Sequence, residues 1–302
     1  MGGRGDNEAG VSGRDGAAET TGGGNSLAAF YEAWAWKREH LKDRDRLQRP
    51  YVHLLDDGSK LTIKQARFKA TGFASTVWDS SIVVAKMLEA RPELCRGKRC
   101  LDLSAGCGLI AVVLARLGAS EVVATDLCEN ELDDNLPLLR DNCEANAPGR
   151  VSVLPHCWGR DMESLLPRFD LVVACDVMYV SEAVGDLVDT LAGVVAVTGC
   201  GGSVLLAHGR NRGGEGAFME AAAGRLAVAR LPDSELHARF RTDDVSVFRL
   251  TPTGTPKAEH VVAVGTQPKG HTRKRGAAGD VVQAESRDTQ TEQTKKKTKD
   301  AA

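Results

Sequence analysis

Asp176-Val-Met-Tyr179 is the pattern with the plainest chemistry: an acid, two apolar residues and a phenol, directly after the largely apolar run Phe169–Cys175. Such a run reads as a buried strand, which places both polar groups at its carboxyl end. A carboxylate there can hold a cationic ammonium, and a phenol beside it can orient the amine for attack. A lysine amine, with an ordinary pKa near about 10.4, carries a proton at neutral pH. It must lose that proton before attacking, and desolvation in an aromatic-lined slot favours the loss. No metal is needed for this chemistry. The same two residues could instead cap a turn and pack against the surface.

A second set lies upstream. Ser104-Ala-Gly-Cys-Gly108 separates a strand-like run (Cys100, Leu101, Leu103) from the helical run Leu109–Arg116. Strand, turn of small residues and helix let backbone N–H groups approach a nucleotide-like ligand. Asp126 follows the next expected strand, where a carboxylate can accept from ribose hydroxyls; it could equally favour a helix N-terminus. This pairing is common to dinucleotide and S-adenosylmethionine sites. Trp158, in His156-Cys-Trp-Gly159, offers a flat apolar face to an adenine or to a neighbouring strand. Trp78-Asp79, in Gly72-Phe-Ala-Ser-Thr-Val-Trp-Asp79, could close one side of a pocket or anchor the segment before it. His208 and Arg210 follow a fifth strand.

The elements that must position these groups alternate. Strands are expected at Arg99–Leu103, Glu121–Thr125, Val151–Leu154, Phe169–Cys175 and Ser203–Ala207. Helices are expected at Leu109–Leu117, Leu132–Asn146, Ala183–Val195 and Gly216–Leu226. That alternation implies an α/β fold with a doubly wound, mostly parallel sheet, in which ligands bind beyond the carboxyl ends of strands. Two closing strands, Ala227–Leu231 and Val245–Leu250, have no helix between them, so an antiparallel pair is expected. Upstream, Tyr51–Leu55 and Leu61–Ile63 flank Asp57-Gly58, a hairpin signal. Ser80–Ala90 reads as a helix. A further helix, capped by Ser26, is expected to stop before Pro50.

Composition bounds the rest. A chain of 302 residues, 42% hydrophobic and 26% charged with a net charge of -2, suits one sizeable domain with tails and has no global pull toward nucleic acid. The eight cysteines form no CxxC pair and no Cys/His ligand spacing, so buried thiols are expected and a metal site is not. The longest apolar run, Leu187–Ala207, is broken by Asp189, Thr190, Thr198 and Gly199–Gly202, and reads as helix then strand. With no secretory-type apolar core at the N-terminus, a soluble, cytoplasmic protein is expected, with the nucleus as a second location. Residues 1–25 are Gly-rich and polar and are expected to be a disordered tail. Residues 26–251 are expected to form the domain (26–80 an N-terminal extension, 81–251 the core). Residues 252–302 are expected to be a second tail, carrying basic clusters at Lys269–Arg275 and Lys295–Lys299.

Several of these motifs, in this order, resemble the family 16 methyltransferases of the methyltransferase-like 21 type. The resemblance is carried by Trp78-Asp79, Leu101-Asp-Leu-Ser-Ala-Gly-Cys-Gly-Leu109, Thr125-Asp126, Asn142 with Asn146, Trp158-Gly159 and Phe169–Tyr179. It implies a seven-strand, Rossmann-like enzyme that uses S-adenosylmethionine, monomeric, with a protein lysine as the methyl acceptor. By that resemblance the cofactor is held by Trp78, Asp102, Ser104, Ala105, Gly106, Gly108, Asp126, Trp158 and Cys175. Asp176 and Tyr179 are implied as the substrate-binding and catalytic pair. Gln65 also matches the family's N-terminal region. Ser104 departs from the family pattern, standing where the first glycine of Gly-x-Gly-x-Gly is usual. A side chain there would crowd the turn if φ is positive, or could supply a hydrogen bond. Two other classes stay open: an NAD-linked oxidoreductase, and a non-catalytic adenosylmethionine-binding or interaction scaffold.

Overall fold

A computed structural model describes residues 35–38, 40–66, 72–127, 135–165, 169–198, 203–209 and 213–253. Both expected tails, most of the helix expected from Ser26, the start of the Leu132–Asn146 helix, and Arg210 lie outside them. Met1–Pro256 forms one compact unit; Lys257–Ala302, the other, falls outside the described residues.

After a short helix, α1 (Asp43–Leu47), the expected hairpin forms from β1 (Tyr51–Leu54) and β2 (Lys60–Ile63), with Tyr51 opposite Ile63. Gly58 makes its turn at φ 84°. Helix α2 (Asp79–Ala90) then leads into the sheet: β3 (Arg99–Leu103), α3 (Leu109–Arg116), β4 (Glu121–Asp126), α4 (Leu136–Asn146), β5 (Ser152–Pro155), β6 (Leu171–Cys175), α5 (Val184–Thr198), β7 (Ser203–Gly209), α6 (Glu215–Ala222), β8 (Leu226–Arg230) and β9 (Val245–Pro252).

Seven strands form one sheet in the order β5-β4-β3-β6-β7-β9-β8. The strands β3 to β7 pair in parallel; β9 runs antiparallel to both β7 and β8. The expected antiparallel closing pair is present. The insertion of β9 between β7 and β8 was not anticipated, and burial explains it. Val245, Val247, Phe248 and Leu250 of β9 are all buried, as an interior strand requires. Ala227, Ala229 and Arg230 of β8 are exposed, as an edge strand tolerates.

Side chains alternate across the sheet. Cys100, Val122, Val173 and Leu205 face α2, α3 and α4, while Leu101, Val123, Val172 and Leu206 face α5 and α6. The hairpin joins the first face through buried Leu61 and Ile63. Its outer edge is covered by two side chains one helical turn apart. Asn146 of α4 accepts from Thr62 N–H and donates to Thr62 C=O, and Asn142 does the same for Lys64. Two amides thus imitate a neighbouring strand. The winding direction reverses between β3 and β6, so the crevice beyond their carboxyl ends is the topological switch point.

Candidate active site

The turn after β3 is tight. Ser104, Gly106 and Gly108 take φ of 60°, 57° and 83°. A Cβ on Gly106 would lie 2.8 Å from Ala74 O, so glycine is required there by space as well as by φ; at Gly108, where a Cβ would meet the movable end of Leu139, it is φ that favours glycine. Ser104 holds a left-handed conformation that disfavours a side chain by about 1–2 kcal/mol. Its Oγ receives a hydrogen bond from Trp158 Nε1 at 2.9 Å, an interaction glycine could not make. The turn is fixed from behind by Asn135, which donates to Gly106 C=O, and by Asn142, which donates to Cys107 C=O.

Asp102, on β3, is buried, and its Oδ2 accepts from Ala111 N–H at 2.9 Å. Gly108 at the start of α3 has no capping side chain, so this strand carboxylate caps the helix instead. Burial pushes its pKa up to about 7, opposed by the Ala111 bond and reinforced by Asp126. Asp126, at the end of β4, accepts from Gly106 N–H at 2.6 Å and from Leu127 N–H at 2.8 Å. A carboxylate accepts at about four positions, so these bonds do not exclude ribose hydroxyls as further donors.

A wall opposite the turn comes from the segment before α2: Ala74, Thr76, Trp78 and Ser81. Arg38 fixes it from outside, its guanidinium donating to Val77 C=O and to Gln65 Oε1, which also accepts from Val77 N–H. The Arg46 guanidinium lies over the Trp78 ring, 5.1 Å from its centre. Thr76 Oγ1 is buried, lines the cavity and has no hydrogen-bond partner among the described residues.

The last side comes from β6 and the residues after it. Cys175 lines the cavity, its thiol pushed far above the ordinary range by burial. Asp176 is left-handed, φ 53°, and buried. Its Oδ2 accepts from Ser80 Oγ at 2.6 Å and its Oδ1 from Gly209 N–H at 3.0 Å, with His208 Nδ1 3.9 Å from Oδ1. Tyr179 stands at the mouth, 42% exposed; burial of its ring, and then the charge of Asp126, raise its phenol pKa.

Together these residues line a cavity of about 60 Å³ that opens to solvent beside Tyr179. Of the residues singled out in the sequence, Trp78, Asp102, Ser104, Ala105 and Gly106 line it, as do Asp126, Cys175, Asp176 and Tyr179. Gly108 does not; it starts α3 beneath the turn. Trp158 does not line it either, and reaches it only through its bond to Ser104. The indole belongs to the support of the turn. Thr76, Ser80 and Ser81 were missed. They flank Trp78 as ordinary small polar residues, and nothing in their spacing distinguishes them from surface positions.

The cavity's form suits an adenosine-bearing cation. Three carboxylates face it (Asp102, Asp126 and Asp176), an unpaired hydroxyl lines it, and the turn leaves no room for a side chain at Gly106.

Comparison with known proteins agrees. The family model for lysine methyltransferases matches residues 55–225. Mouse protein N-lysine methyltransferase METTL21A is 36% identical over 129 residues, covering 41% of this chain and 56% of the relative. Mouse EEF1A lysine methyltransferase 3 is 32% identical over 136 residues, covering 44% and 56%. Protein N-terminal and lysine N-methyltransferase EFM7 of Cryptococcus neoformans is 29% identical over 110 residues, covering 34% and 37%. The chain spans about half the length of the first two of these relatives.

Proposed function

We propose, for a chain that belongs to the lysine methyltransferase family, that it transfers methyl groups from S-adenosylmethionine to a lysine side chain of a protein. The observation that carries this reading is convergence on one cavity. The Gly106 turn, Asp126 and the Asp176/Tyr179 pair come from three different strand ends and face the same space at the switch point.

When bound, S-adenosylmethionine supplies a methyl group on a cationic sulfur. The residues that would hold it are the Ser104–Gly106 turn, Asp126, the Thr76 hydroxyl and the face of Trp78. Asp102 would support the turn from behind through its bond to Ala111 N–H. At the mouth, Asp176 attracts the lysine ammonium and Tyr179 orients the nitrogen. Transfer needs the neutral amine, and the partly apolar slot favours release of its proton. Solvent access at the open end gives that proton a route out.

Family membership and the Ser-x-Gly-x-Gly turn both favour this reading over an NAD-linked oxidoreductase. The Asp176/Tyr179 pair favours it over a scaffold without activity. A cytoplasmic setting, with the nucleus as a second, is part of the proposal; the six described cysteines are free thiols, which suits a reducing compartment. Calorimetry with S-adenosylmethionine, S-adenosylhomocysteine and NAD tests the cofactor. Radiolabelled transfer into a cell lysate, with identification of the labelled residue, tests the acceptor. Binding of NAD without S-adenosylmethionine, or label on residues other than lysine, would sink the reading.

A further inference from the structure

The first turn of α2 touches the Asp176–Tyr179 motif through Ser80. The Ser80 hydroxyl, fully buried, donates to Asp176 Oδ2 at 2.6 Å. One residue earlier, Asp79 Oδ1 accepts from Arg38 N–H, so the same turn is tied to the N-terminal extension. Trp78 and Ser81, on either side of this pair, line the cavity.

Asp176 needs such support. Its φ of 53° places an L-residue in the left-handed region, which persists only where the surroundings over-determine it. Asp176 N–H donates to Ala207 C=O, and Oδ1 accepts from Gly209 N–H, so β7 holds the backbone and one oxygen. Oδ2 accepts from the Ser80 hydroxyl. A short O–H···O bond to a carboxylate is both strong and directional.

We propose that Ser80 is a positioning residue for this site, holding the Asp176 carboxylate in the rotation that meets an incoming lysine ammonium. The role rests on the methyltransferase reading. It makes the start of α2 a shared support, with one face lining the cofactor side of the cavity and the other orienting the substrate acid.

The test uses the full chain as wild type, Ser80→Ala, Asp176→Asn and the double variant, with labelled S-adenosylmethionine and the lysate proteins that the wild type labels. Ser80→Ala should lower the labelling rate about tenfold or more, as expected for a misplaced catalytic group. Its affinity for S-adenosylhomocysteine should stay within about twofold of wild type, and the double variant should be no slower than Asp176→Asn. A Ser80→Ala rate near wild type, or losses that multiply in the double variant, would overturn the proposal. Crystal structures of wild type and Ser80→Ala supply an arm independent of activity. Rotation of Asp176 in the variant supports the assignment, and an unmoved carboxylate rejects it. If the wild type labels no lysine, the function reading fails while this structural arm still decides on Ser80.

Discussion

Trp158 Nε1 donates to Ser104 Oγ at 2.9 Å while Ser104 holds φ at 60°, so a residue 54 positions away supports a turn that its own backbone disfavours. Two opposing terms meet at Ser104. Glycine would relieve the left-handed strain, and alanine would keep the strain and lose the bond. Ser104→Ala should therefore be the worse substitution, destabilising by about 1–2 kcal/mol, with Ser104→Gly nearer to wild type. Urea unfolding of the three proteins measures the order; an alanine variant as stable as wild type would remove the Trp158 bond from the account.

Asp176→Ala should reduce methyl transfer by about 100-fold or more, because a charge aimed at the reacting amine is lost from a partly dry site. Affinity for S-adenosylhomocysteine should change little. Steady-state rates paired with calorimetry separate the two effects, and unchanged turnover would take Asp176 out of the substrate site.

Gly106→Ala meets two obstacles at once: a φ of 57° and a Cβ 2.8 Å from Ala74 O. The turn and the Ala74 wall must separate, which should weaken cofactor binding by about tenfold and destabilise the fold by roughly 1–3 kcal/mol. Calorimetric affinity equal to wild type would show that the turn does not face the ligand.

Asp102 predicts a pH dependence. Its folded pKa, near 7, lies above the ordinary 3.8, so the folded state binds the extra proton between those values. Stability from this group is therefore greatest below about pH 4 and is lost as pH rises toward 7, by on the order of a few kcal/mol. Asp102→Asn keeps an acceptor for Ala111 N–H but cannot titrate. Its melting temperature should gain on wild type as pH rises from 4 to 7, and a constant difference across that range would contradict the raised pKa.

Much of the fold was legible because its signals are local. The apolar runs of β3, β4, β6 and β7, separated by helical periodicity, fixed strand and helix alternation, and the Asp57-Gly58 pair fixed the hairpin. The strand ends then pointed to the turn, Asp126 and the Asp176/Tyr179 pair. These follow from sequence alone because a parallel sheet puts every strand's carboxyl end on the same side.

Tertiary structure decided what depends on contacts between distant residues. The place of β9 follows from which closing strand buries both faces. Trp158 reads in the sequence as a platform for a ring, yet its indole supports Ser104 from outside the cavity. Asn142 and Asn146 enter the sequence reading only as part of the family resemblance, and the fold uses them to complete the edge of β2. Ser80 lies 96 positions from Asp176 and becomes its donor only because α2 packs its first turn against the switch point. Local periodicity carries no information about such pairs. They exist once the sheet has brought the strand ends together, and with them the support that holds left-handed Ser104 and Asp176 in place.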